Sequence, residues 1–529
     1  MVSGSIVRAF LSGRVPRPVF ALLLCLCFIL AAGRVDAFAF EEVVARAQQL
    51  AGQAYVPPTP IPRFMRELDY DAYQGIRFDE ARSLWRESNS RFQVMLFPPG
   101  LFYTHPVEIH VVDAEGVHRL PYRKSYFDFS NPELEKRVPP NLGYAGFKLT
   151  YPLKARGEQN QFLVFAGASY FRGVGRDNAW GLSARGIAVD TGLPGGEEFP
   201  SFTAFWLVRP SPQADSMRFY ALLDGKRVTG AYQFDVTPGE STRIQVKSVV
   251  FARDRIELLG LAPLTSMFFY GENTARPVGE WRPEVHDSDG LLIHDGVSGE
   301  WLWRPLINPR RLEMDVFQTE GVRGFGLLQR DTRFDNYQDL GARYDQRPSA
   351  WVTARGDWGP GRVVLTQLPT NTETNDNMVA FWSPAEPLAP GASLRLDYQL
   401  DIGGPGVAPS PTGQAVNTFV GDGSIIGGGN VEGAYRVVVD FRGGPLDRLR
   451  PTATLSSSVT ALDGGEVIEH FVEYNPAAQA WRLSLLARPA RDRALSLRAF
   501  LAHDGQPVTE TWTYRLPPDN DILISGRRR

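Results

Sequence analysis

Met217–Asp224 reads M-R-F-Y-A-L-L-D, Tyr232–Pro238 reads Y-Q-F-D-V-T-P, and Thr242–Phe251 reads T-R-I-Q-V-K-S-V-V-F. Polar and apolar residues alternate with a period of two, the spacing at which successive side chains of a strand fall on opposite faces. L-D-G-K-R-V-T-G at 223–230 joins the first two stretches and puts Asp224-Gly225 where a hairpin turn belongs. Three consecutive antiparallel strands are therefore expected here.

The same pattern spreads in both directions. It recurs upstream as R-F-Q-V-M-L-F (91–97), V-E-I-H-V-V-D (107–113), F-K-L-T-Y-P-L (147–153) and Q-F-L-V-F-A (161–166), and downstream as R-L-E-M-D-V-F (311–317). Helical periodicity is confined to a short amphipathic segment through Leu50, with Phe40, Val43, Val44 and Ala47 on one face. Two shorter candidates remain, 63–70 and 131–137, the latter opening on an Asn cap with Pro at the first helical position. No β-α-β rhythm or phosphate-cradling glycine loop occurs. The fold class is all-β, a large N-terminal antiparallel β-sandwich. Glycine and proline crowd together in D-I-G-G-P-G-V-A-P-S-P-T-G-Q at 401–414, and short strands follow, among them Y-R-V-V-V-D-F (435–441) and W-R-L-S-L-L-A (481–487). These predict a linker at 403–415 and a small immunoglobulin-like sandwich over 416–529, with 38–402 as the larger unit.

The first residues belong to none of this. Arg8, Arg14 and Arg17 precede the apolar run V-F-A-L-L-L-C-L-C-F-I-L-A-A, and cleavage-like triplets follow at 35–37 and 37–39. Residues 1–37 read as a cleavable export signal. Both cysteines, Cys25 and Cys27, lie inside it, so the mature chain has neither a disulfide nor a thiolate nucleophile. Cleavage removes four arginines and one aspartate and takes the net charge from -3 to -6. A mildly acidic exported chain offers no electrostatic footprint for nucleic acid.

Metal and cofactor are both expected to be absent. His105 and His110 have an odd offset and cannot share a strand face, and no H-E-x-x-H occurs. Asp287 and Asp289 share a face if extended, which leaves calcium as the one metal for which the spacing offers a place. No G-x-S-x-G elbow marks a serine hydrolase. The acids are more informative. Glu284, Asp287, Asp289 and Asp295 cluster, as do Asp331, Asp335 and Asp339, and then Glu373 and Asp376. An acid beside a strand end is ordinarily a solvated turn residue that also protects an edge. Here, however, the acids lie among tryptophans, tyrosines and arginines. Carboxylates beside flat aromatic faces suit a sugar cleft, where cleavage needs one protonated and one ionised carboxyl.

Long strings then carry a resemblance. F-Y-T-H-P-V-E-I-H (102–110), R-P-E-V-H-D-S-D-G-L (282–291), E-W-L-W-R-P-L (300–306), F-D-N-Y-Q-D-L-G-A-R-Y (334–344) and E-T-N-D-N-M-V-A-F-W (373–382) stand in consistent order. Over nearly all of its mature length the chain resembles the osmoregulated periplasmic glucan biosynthesis proteins of the G and D type. That resemblance implies export to the periplasm, a β-1,2-linked glucan as partner, and possible contact with the membrane glucan synthase. It implies a long cleft in the larger sandwich and grouping with glycoside hydrolases. Some members are anomer-inverting endo-β-1,2-glucanases; others transfer the cut chain to a sugar hydroxyl or turn glucan over poorly. It places the general acid on Asp376 and the general base on Asp289, with Asp287 the close competitor. Three readings follow: inverting glucanase first, then a cyclising or branching transglycosylase, then a non-catalytic glucan-binding scaffold. Trp351, Trp358, Tyr344, Trp382, Tyr337, Asp339 and Arg347 are the expected substrate contacts.

Overall fold

The computed structural model describes residues 38–425, 428–518 and 521–523. The expected export signal, 1–37, lies outside the described residues. The chain is mostly β and arranged in several sheets.

The three period-two stretches between Met217 and Ala252 form one antiparallel block. Met217–Asp224 pairs with Val228–Thr237, and that strand pairs with Thr242–Ala252. Three residues, 225–227, join the first two strands, and the last pairing before them is Asp224 opposite Thr229. Gly225 is there for close approach: a Cβ on it would stand 2.7 Å from the Glu198 carboxylate and 2.8 Å from the Pro200 ring. The burial pattern departs from simple alternation. Thr242–Lys247 alternates buried and exposed, but Ser248–Val250 is buried on both faces. Helix α1 (Phe40–Ala51) accounts for this. Its Val43 and Ala47 pack on Trp206, Tyr220, Ala231 and Val249, on the side of the sheet away from the main core.

This block sits within a large sheet. In spatial order its strands are 456–461, 495–503, 511–516, 301–305, 290–295, 322–328, 349–355, 393–403, 242–252, 228–237, 217–224, 201–208, 108–113 and 116–119. A second sheet runs 93–97, 146–151, 160–166, 170–173, 183–185, 259–266, 378–384, 361–367 and 313–319. Phe147 and Phe165 of the second sheet meet Phe205, Phe219 and Phe234 of the first in edge-to-face contacts of 5.1–5.7 Å. Each such ring contributes about 1.5–3 kcal/mol by burial alone.

Between Gly403 and Gln414 the chain leaves the large sheet and enters a four-stranded one, ordered 414–424, 430–442, 480–489 and 465–475. The remaining C-terminal strands return to the large sheet, where Leu302 and Trp303 pair in parallel with Thr511 and Trp512. A second hydrophobic cluster fills this region, with Tyr435, Leu483, Leu497 and Trp512 beside Trp301, Trp303 and Trp351. The short helix Pro132–Arg137 is capped as read from sequence: the Asn131 side chain accepts from the Glu133 and Leu134 amides.

Candidate active site

Four strands of the second sheet bring the first group of residues together. Tyr170–Gly173, Ser183–Arg185, Leu259–Ser266 and Met378–Pro384 are neighbours, with Phe171 opposite Ala184, Thr265 opposite Ser183, and Ser266 opposite Met378. Arg172 therefore points along the same face as its neighbours, and its Nε donates to Ser183 Oγ at 2.7 Å. Its Nη2 reaches Asp376 Oδ2 at 3.1 Å. Asp376 lies two residues before its strand, with a side chain 30% exposed. The adjacent asparagine anchors the turn: Asn377 Nδ2 donates to the Phe268 and Leu368 carbonyls, and its Oδ1 accepts from the Phe268 amide. Its amide thus holds the backbone and makes no contact with the Asp376 carboxyl.

Asp287 and Asp289 do not share a surface. Residues 287–289 lie between two strands, so strict alternation is lost there. Asp287 is buried against Arg347, whose Nη1 donates to Asp287 Oδ1. Burial raises the Asp287 carboxyl above its ordinary range; Arg347 opposes this, and the charge of Asp376 adds to it. Asp289 instead accepts from the Arg330 and Asp331 amides. The loss of a common face removes the Asp287–Asp289 pair as a calcium site. Gly290 serves packing, since a Cβ would meet Trp303 at 2.4 Å.

Asp289 belongs to a separate cluster with Glu284, His286 and Asp331, whose ligand atoms lie within 4.8 Å of one another. His286 Nε2 is 2.9 Å from Glu284 Oε2 and 3.7 Å from Asp289 Oδ1. Its Nδ1 is 3.0 Å from Gln329 Oε1. Gln329 Nε2 donates to the His286 and Tyr344 carbonyls, which fixes the amide and makes Oε1 the acceptor. Nδ1 therefore carries a proton. Burial pushes the imidazole pKa down, but Asp289, Glu284 and Glu272 raise it to about 9. The four groups have the donor types for a divalent cation, provided Nε2 gives up its proton. With the proton in place they form a buried imidazolium held by carboxylates.

Glu272 borders this cluster and accepts from the Thr418 amide at 2.9 Å. Burial, then Glu284 and Asp289, raise it from 4.5 to about 8. A carboxyl raised on folding stabilises the fold below its unfolded value and loses that contribution as pH rises through its folded value. His286, raised from 6.5 to about 9, acts in the same direction. Melting temperature should therefore fall between pH 6 and pH 9, and Glu272→Gln should flatten the fall by a few degrees. An unchanged slope in the variant would show that Glu272 does not titrate in this window.

A third group joins three of the motif strings, 282–291, 334–344 and 373–382. Arg282 Nη1 reaches Glu373 Oε2 at 2.6 Å and Asp339 Oδ2 at 3.1 Å. Tyr344 donates its hydroxyl to Glu373 at 3.0 Å, and the Arg347 guanidinium lies 4.2 Å over its ring. Arg347 thus connects this group to Asp287. For Asp339, burial is outweighed by the Ala342 amide, Arg282 and the Gly341 amide, so its carboxyl lies below the ordinary range. Asp295 stands apart as a turn residue bound by Ser298 and Thr319.

The expected aromatic platforms need correction. Trp382 and Trp358 pack edge-to-face at 5.2 Å within the main core. Trp351 stacks on Trp301 at 5.5 Å in the second cluster. Tyr337 and Tyr344 lie in a small buried cluster with Tyr270. A platform needs a ring face open to solvent, and all five of these side chains are buried. Arg172, Ser183, His286 and Glu272 were missed from sequence. Glu284 and His286 stand two apart, a same-face spacing that held a usable signal; Arg172 had none, because only the sheet order brings it to Asp376.

The family profile described as "Periplasmic glucan biosynthesis protein, MdoG" matches residues 38–516. This chain belongs to that family. Glucans biosynthesis protein G of Ralstonia nicotianae (strain ATCC BAA-1114 / GMI1000) is 42% identical over 487 residues, covering 91% of this chain and 96% of that protein. Among solved structures, the Slr1438 protein of Synechocystis sp. PCC 6803 aligns with 66% of this chain and 99% of its own, at 10% identity and a TM-score of 0.14, too low to carry an argument. Membership bears out the resemblance read from the motif strings. It makes the protein periplasmic, with a role in glucan biosynthesis.

Proposed function

We propose that the protein cleaves the backbone of a β-1,2-linked glucan by hydrolysis with inversion, Asp376 acting as general acid and Asp287 as general base. The observation that carries this reading is the surroundings of the three acids: Asp376 is part exposed beside Arg172 and Asp287 is held by Arg347, while Asp289 bonds the Arg330 and Asp331 amides within the histidine cluster. Inversion needs two carboxyls facing one site with room for water between them. Asp376, part exposed, is the one placed to meet the leaving glucose oxygen. Asp287 has a proton affinity raised by burial, which makes its ionised form a better base, and Arg347 holds that form in place. Arg172 orients Asp376, and Arg347, which holds Asp287, is itself tied through Tyr344 and Glu373 to Arg282.

We also read 38–402 as the unit that carries the groove and 416–529 as an immunoglobulin-like sandwich packed against it. The passage of the chain from the large sheet into a four-stranded one between Gly403 and Gln414 supports that division. Comparing Asp287→Asn with Asp289→Asn tests the base. Turnover of linear β-1,2-glucan should fall further in Asp287→Asn, with both proteins still folded. The reverse order would assign the base to Asp289 and its histidine cluster.

A further inference from the structure

Resting on the glucanase reading, we propose that the pocket bounded by Phe102, Tyr103, Thr104, His105, Tyr170 and Phe199 binds a pyranose unit of the glucan, next along the groove from the Asp376 site.

The pocket holds about 290 Å³. Two apolar rings stand open at it, Phe102 81% exposed and Phe199 52% exposed. Large apolar side chains left this open at the rim of one concavity mark a binding surface. Position links the pocket to the acid. Tyr170 and Arg172 are two apart on one strand, so they share a face about 6.6 Å apart. Arg172 is the residue that holds Asp376. A ligand threaded past Asp376 along this strand therefore reaches Tyr170 within the span of about one sugar ring.

The chemistry of the lining selects the occupant. The Arg185 guanidinium lies 4.7 Å over Tyr170 and 5.6 Å over Phe199, and its charge is matched by Glu197 at 2.5 Å. Arg185 therefore braces the rings and leaves no free charge for an anion. Burial also lowers the His105 pKa, so this ring stays neutral in the neutral pH range. Its Nδ1 pairs with Thr104 Oγ1 at 2.9 Å. The Tyr103 and Tyr170 hydroxyls have no hydrogen-bond partner among the described residues. Open aromatic faces, unpaired hydroxyls and no net charge suit a ligand with apolar C–H faces and many neutral hydroxyls, which is a sugar. They do not suit a phosphate or a peptide carboxylate.

The test uses the Asp376→Asn protein, so that glucan is held without being cut. Affinity for linear β-1,2-glucan is measured by calorimetric titration, with and without Phe199→Ala, Phe102→Ala or both. Phe419→Ala, an exposed ring of the four-stranded sheet, is the control. We expect each pocket variant to weaken binding by roughly tenfold with an unchanged melting temperature, and the control to bind normally. Unaltered affinity in the double pocket variant would overturn the proposal while leaving the glucanase reading intact. Weakened binding in a protein whose parent never cuts glucan would support the pocket and remove the glucanase. Absence of any glucan binding by the parent would overturn the pocket as a glucan site.

Discussion

Asp376→Asn is expected to leave the protein folded and to lower turnover of linear β-1,2-glucan by roughly a hundredfold or more. A sugar alkoxide is a poor leaving group near neutral pH and must be protonated as its bond breaks. The Asn side chain fills the same space and keeps an oxygen for Arg172, but it has no proton to give. The local fold does not depend on the carboxyl, because the turn is held by Asn377 through the Phe268 and Leu368 backbone. Circular dichroism and glucan titration of the variant should match the parent. A well-folded Asp376→Asn protein with undiminished rates would remove this residue from the chemistry.

The largest expected effect on stability lies at the seam between the large sheet and the C-terminal strands. Arg330 Nη1 and Nη2 meet the two Glu510 oxygens at 2.6 and 2.9 Å, with both side chains almost wholly buried. Arg330 also lies 3.5 Å over the Trp303 ring and donates to the Ala415 carbonyl, while Glu510 accepts from the Ala415 amide. Glu510→Ala leaves a buried guanidinium without its counter-charge, at a cost of about 3–5 kcal/mol. Denaturant unfolding should show this as a lower midpoint. The double change Arg330→Met with Glu510→Met should recover much of the loss, since the penalty is that of an unpaired charge. A Glu510→Ala midpoint equal to the parent would mean that water reaches the pair. The backbone amide of Arg330 donates to Asp289, so the same variant should also disturb the histidine cluster.

The strands of this protein were legible because period two survives wherever one sheet face meets water. Thr242–Lys247 shows it cleanly. It fades in Ser248–Val250, where helix α1 covers the outer face, and the helix itself was readable from Phe40, Val43 and Ala47. The joining of Thr511–Leu516 to Trp301–Pro305 was not readable, because parallel pairing over such a separation leaves no local pattern. The site was legible in its acids and not in their partners. The motif strings carried Asp376, Asp287 and Asp289, but which of them share an environment depends on the break in strand geometry at 287–289. Density of aromatics misled for Trp351, Trp358 and Trp382. Sequence counts rings without saying which have an open face; Phe102, Phe199 and Trp281 are among those that do.

The most direct test of the central claim follows the products of the purified mature protein on linear β-1,2-glucan by proton NMR during the first turnovers. Short linear β-1,2-linked oligosaccharides should appear, with the new reducing ends first in the α configuration, inverted from the β linkage that was cut. Release of β-configured ends, closure into a ring, or an unchanged polymer would each contradict inverting hydrolysis at Asp376.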